Sequence, residues 1–258
     1  MKYLGKWWVK MEILKIFRLE YDNTWNSKIV GMFFSILSAT YIYSLKRSAT
    51  ILMTDIYAIY LFEALQGYMA SSIVLVVFVS YIFSKSISRQ ISSGLIKTWL
   101  GFPIKRKHLL ISKFVLGYTL LLIGEIMPII YSGSIYGFHI GILIVSFAII
   151  LKLFFYTSYS MFFCLMIRDV LASFAGSLLS LYIVESFPIF LHTLGFEDIA
   201  NVVDINNIAL GLYKVLNAKK WFETFLETNL WLTLIIYLGV SILLLLLSIQ
   251  IFRKMDLD

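Results

Sequence analysis

Three ionisable side chains stand inside long apolar runs: Glu125, Lys152 and Glu185. A charge at the centre of a bilayer costs roughly 2.5–3.5 kcal/mol on insertion scales, so such a group normally faces the protein interior or water. Glu125 and Lys152 flank a turn near Gly137, 12 residues before it and 15 after it. At 1.5 Å per residue these are depths of about 18 and 22 Å below the turn. Three readings are open: an ion pair, two groups lining a substrate path, or a Lys152 that snorkels alone to the interface. Glu185 precedes Pro188 near the end of its run. A proline removes one interior helix bond. That end is therefore either a helix terminus at the interface or part of a gate, and Pro128 similarly predicts a kink.

Other chemistries lack their residues. His108, His139 and His192 are scattered, and no pair has metal-ligand spacing, so no metal site is expected. Cys164 is the single cysteine and lies in an apolar run, as a small buried hydrophobe would. No G-x-x-x-x-G-K-[ST] cradle exists, so this chain holds no nucleotide by that mechanism. An intramembrane serine protease needs a serine in a glycine-rich turn and a histidine on another span. Ser132 and Ser134 flank Gly133, but His139 is too close in sequence for a separate helix. The H-E-x-x-H and aspartate-rich phosphatidyltransferase signatures are missing.

The elements that must position these residues follow from composition. The chain is 60% hydrophobic and 14% charged, with mean hydropathy +0.87. Soluble domains carry about 25% charged residues. The excess falls in long uncharged runs, each long enough to cross a bilayer as a helix. Six spans are predicted, at 29–45, 64–84, 111–134, 140–166, 170–191 and 230–252. Barrel strands would be shorter and alternating. Helices satisfy their own backbone in lipid, so the fold class is all-α, a polytopic helical bundle.

With both termini inside, 16 of the 22 Lys and Arg residues fall on inner segments and 5 on outer ones. That split follows the positive-inside rule and accounts for the charge of +7 without nucleic acid. Residues 1–28 carry six basic side chains before the first run and read as a retained interfacial segment, not a cleavable signal. Residues 85–110 form the longest inner loop, and 192–229 an outer loop with enough aliphatic residues for short helices.

The inner loop is the most informative stretch: SKSISRQISSGLIKTWLGFPIKRKHLLISKF, from Ser84 to Phe114. Ile87, Ile91 and Leu95 recur at steps of four and give one apolar face. Gly101 and Pro103 break the pattern, and a basic cluster and a second helix follow. By physics alone this is an ordinary basic loop lying on headgroups.

The segment resembles the cytoplasmic loop of the ABC transporter type-2 permease family. Gly94 and Leu95 match its glycine step, Trp99 and Leu100 its leucine-rich turn, and Pro103, Lys105/Arg106 and Lys113 its Pro, basic and Lys positions. The family's usual glutamates before the glycine are absent, with Arg89, Gln90 and Ser92 in that region. The six-span layout is also similar. The resemblance implies a non-catalytic permease subunit of an exporter. A cytoplasmic coupling helix would dock on a separate ATPase that carries the ATP and Mg. The coupling residues would be Arg89, Gly94, Leu95, Lys97, Trp99, Pro103, Lys105 and Arg106. It also implies a homodimer, or pairing with a similar permease, in the cell membrane. The small-residue face of Ala172, Ser173, Gly176, Ser177 and Ser180 permits close helix approach, either between copies or within one chain. The alternatives are a secondary transporter or energy-coupling membrane component, and then an intramembrane enzyme.

Overall fold

A computed structural model describes residues 72–101, 105–136, 140–217 and 221–255, with 18, 21, 28, 31–33, 35, 36 and 39 nearer the amino terminus. The described residues contain helices and no strand. We number the helices α1 (Ser72–Ser92), α2 (Leu95–Leu100), α3 (Arg106–Tyr136), α4 (Ile140–Ile167) and α5 (Val170–Thr193). Then come α6 (Glu197–Val203), α7 (Asn207–Asn217), α8 (Trp221–Glu227) and α9 (Leu230–Lys254). Five of these, α1, α3, α4, α5 and α9, contain stretches long and apolar enough to cross a membrane. The chain therefore reads as a multi-pass helical membrane protein. Most of the expected span 29–45, the segment 1–28 and Pro103 lie outside the described residues.

Three expected spans match helices closely: 140–166 against Ile140–Ile167, 170–191 against Val170–Thr193, and 230–252 against Leu230–Lys254. The expected end of a span at 84 is corrected. The helix continues to Ser92 through a π-helical segment, Ser84–Ser88. Its serines read as loop residues, yet Ser84, Ser86 and Ser88 are buried, and Ser88 Oγ donates to the Cys164 carbonyl at 3.1 Å. Helix α5 likewise does not end at Pro188 but runs through it to Thr193.

Helix α4 is the hub, packed against α3, α5, α7, α9 and the π segment of α1. Small polar residues allow these approaches. Ser177 on α5 hydrogen-bonds Ser80 of α1 at 3.0 Å and Ser160 of α4 at 2.8 Å. The turn between α4 and α5 is fixed by Arg168 at φ 60° and by Asp169, whose side chain accepts from the Ala172 N–H at 2.8 Å. That is an aspartate N-cap.

Phe33 is buried against Phe78 of α1, with ring centroids 4.6 Å apart. It also lies over Gly124 of α3, where an added Cβ would collide with its ring. Inserting bulk into a packed contact costs about 1–3 kcal/mol. Gly124→Val should therefore lower stability by that amount in a detergent unfolding titration. Gly239→Val on α9, with open space around its Cα, should not lose it through a clash.

Candidate functional site

Two ends of the bundle can be told apart by which termini meet. One end gathers the close of α1, helix α2, the start of α3, the α4–α5 turn and the close of α9. Arg106 of α3 joins there to the last turn of α9, its Nη1 donating to the Met255 carbonyl at 2.5 Å and the Arg253 carbonyl at 3.4 Å. Those carbonyls have no partner within their own helix. A cation beside them also complements the helix dipole. Lys113 lies one step deeper. It is buried, and its Nζ donates to the Ser86 carbonyl at 3.0 Å and to Gln90 Oε1 at 2.6 Å. The opposite end holds the start of α1, the start of α4, the close of α5, the short helices α6 to α8 and the start of α9.

Toward that second end lies a buried polar cluster around Lys152. Lys152 is 2% exposed on the hub helix α4. Its Nζ stands 3.0 Å from Glu185 Oε1 on α5. It donates to Asn206 Oδ1 at 2.9 Å, in the α6–α7 connection, and to Ser72 Oγ at the start of α1. Two neutral oxygens thus accept from the ammonium and one carboxylate oxygen lies at ion-pair distance from it. One helical turn further along α4, the Tyr156 ring centroid lies 5.6 Å from the same nitrogen. Asp204 accepts from the Asn206 N–H at 2.8 Å and so shapes the loop that presents Asn206. Tyr237 of α9 donates to the Val203 carbonyl at 2.5 Å, holding the end of α6. Burial raises the Asp204 carboxyl above the ordinary carboxylate range, with Lys152 opposing that shift and Glu185 adding to it.

The structure sorts the residues expected to matter. Lys152 forms an ion pair with Glu185, which lies on α5, outside the hairpin that carries Glu125 and Lys152. Glu125 is buried on α3. Ser72, Tyr156, Asp204 and Asn206 were not anticipated. The one available signal was the polar run Asp204 to Asn207 among the aliphatic residues of 192–229, broken only by Ile205.

Of the coupling residues, Arg89, Lys97 and Lys105 are exposed, Leu95 and Arg106 are half-buried, and Trp99 lies in α2. Gly94 turns the chain between α1 and α2 at φ +72°, a conformation that favours glycine. Of the small-residue face, Ser173 and Ser177 are fully buried within the chain, and Ser177 bonds α1 and α4. Their close approach is intramolecular. Ala172 is exposed, while Gly176 and Ser180 are half-buried. Among the described residues no group of three His, Cys, Asp or Glu side chains could hold a metal ion.

No protein-family model and no curated protein matches the chain.

Proposed function

We propose that the chain is the membrane-spanning permease subunit of an ABC exporter. It forms the substrate path as a dimer in the cell membrane, with both termini cytoplasmic, and a separate ATPase subunit drives it. The observation carrying this reading is the helical elbow at one end of the bundle. There α1 passes through a π segment, turns at Gly94, forms the short α2 and re-enters as α3. Exposed basic side chains crowd it: Arg89, Lys97, Lys105 and Lys107, with Arg168, Arg253 and Lys254 at neighbouring helix ends. Lys and Arg concentrate on cytoplasmic segments, so this end is the cytoplasmic one. An elbow there can pass movement of a docked ATPase into α1 and α3 together.

Tagged chain should be captured from its native membrane and the co-purifying proteins identified. The expected result is a stoichiometric ATPase carrying a phosphate-binding loop, with ATP hydrolysis in the eluate. Clean chain without an ATPase would overturn the reading.

The buried charges at the other end favour a second reading, a secondary transporter. Ionisable residues within spans commonly mark ion pathways. Transport driven by an ion gradient in vesicles holding this chain alone would decide for it.

A further inference from the structure

One face of α4 carries an aromatic stripe. Phe155, Tyr159 and Phe163 follow one another at steps of four, with ring centroids 5.7 Å and then 4.9 Å apart. At the end away from the basic elbow, Phe155 meets Tyr237 of α9 at 4.9 Å. At the other end, Ile167 and Phe163 lie against Gly176 of α5, where an added Cβ would stand 3.1 Å and 3.7 Å from them. The stripe thus touches α9 at one end and α5 at the other. Tyr159 and Phe163 are half-buried, and Ile167 is exposed.

The stripe runs into cations. Helices α4 and α9 both close at the basic end. From the Phe155–Tyr237 contact, Arg168 is 13 residues further along one chain segment and Arg253 is 16 further along the other. At 1.5 Å per residue these are distances of about 20 and 24 Å, so the two ends reach nearly one level. Arg168, Arg253 and Lys254 are all exposed, and none forms an ion pair among the described residues. Asp169, beside them, is turned to the Ala172 N–H as the cap of α5. Arg168 also stands at φ 60°, a conformation uncommon for arginine.

We propose that the stripe and these cations hold an anionic phospholipid. One acyl chain lies along Tyr159, Phe163 and Ile167, and the headgroup phosphate sits among Arg168, Arg253 and Lys254. Basic positions between helices on one side of a membrane suit such headgroups. Arginine meets phosphate oxygens through paired, charge-assisted hydrogen bonds. An acidic protein surface would answer to the cations but not to the apolar stripe that continues from them into the bilayer. The site rests on α4, α5 and α9, and it stands whether or not an ATPase docks on the elbow.

The test is native mass spectrometry of the purified full-length chain. It is released from detergent micelles doped with equal amounts of phosphatidylglycerol and phosphatidylcholine of the same acyl chains. The wild type should retain phosphatidylglycerol in preference. One cation at an anionic membrane surface is worth about fivefold in affinity, so Arg168→Asn, Arg253→Gln and Lys254→Gln should each lower the preference by about that factor. Asparagine tolerates the φ of position 168, so that variant should lose lipid without losing thermal stability. Lys214→Gln removes an exposed cation from α7, at the opposite end, and should leave the preference unchanged. Equal retention of the two lipids would overturn the site and leave the cations to a protein partner. An unchanged preference in all three variants would overturn it as well. So would full displacement of phosphatidylglycerol by inorganic phosphate, which would mark a site for the free anion.

Discussion

Lys152→Met is expected to lower the stability of the folded chain by about 3–5 kcal/mol, the usual loss when one partner of a buried ion pair is removed. The volume lost is small, because methionine fills much of the space of the lysine stem. What is lost is the charge. Glu185 then keeps a carboxylate in a largely buried setting, where its side chain is 16% exposed. Asn206 and Ser72 lose the donor that held them. Glu185→Gln should cost less, because the amide keeps an acceptor oxygen for Lys152 and its position is partly wet. Lys152→Met combined with Glu185→Leu should recover a large part of the single-variant loss, since apolar replacement of a whole buried pair is often close to neutral. Unfolding in detergent, monitored by tryptophan fluorescence, reads all three. A Lys152→Met chain within about 0.5 kcal/mol of wild type, the range typical of an inconsequential surface change, would show that the cluster holds nothing together.

The same cluster shows where the sequence speaks and where it is silent. Long uncharged runs announce α4, α5 and α9 because a helix in lipid needs only length and apolarity. Hydropathy fails at Ser84–Ser92. There the serines satisfy themselves inside the bundle, as Ser84 Oγ does on the Tyr81 carbonyl at 2.9 Å and Ser88 Oγ on the neighbouring helix α4 at 3.1 Å. A scale that scores side chains one at a time cannot see a partner 76 residues away. The ion pair escapes for a related reason. Depth along a hairpin brings Glu125 level with Lys152. Glu185, on the next helix, stands 3.0 Å from Lys152 Nζ, and depth along a single hairpin does not reach it. Which helices become neighbours, as α1, α4 and α5 do through Ser80, Ser160 and Ser177, emerges only on packing.

The basic elbow allows the permease reading to be tested against its own residues. The resemblance treats Lys97, Lys105 and Arg106 alike, but the structure does not. Arg106 is spent inside the chain, closing the last turn of α9 through the carbonyls of Arg253 and Met255. A charged hydrogen bond of this kind is worth about 1.5–3 kcal/mol, so Arg106→Ala should lower stability by that order. Lys97 and Lys105 are exposed and free to meet an acidic surface. Reversing both to glutamate should leave stability within about 0.5 kcal/mol, as surface changes usually do. If the permease reading holds, capture of an ATPase should nevertheless be lost, because like charges set against each other across an interface cost several kcal/mol. Two measurements on each variant, an unfolding midpoint and the yield of co-purified ATPase, separate the roles. If Lys97→Glu with Lys105→Glu still captures the partner in full, the elbow does not dock through its charges. If Arg106→Ala loses the partner at unchanged stability, the guanidinium serves the interface and not α9. The expected pattern is the crossed one. It would assign the two lysines to a cytoplasmic partner and the arginine to the joint through which movement of that partner reaches the bundle.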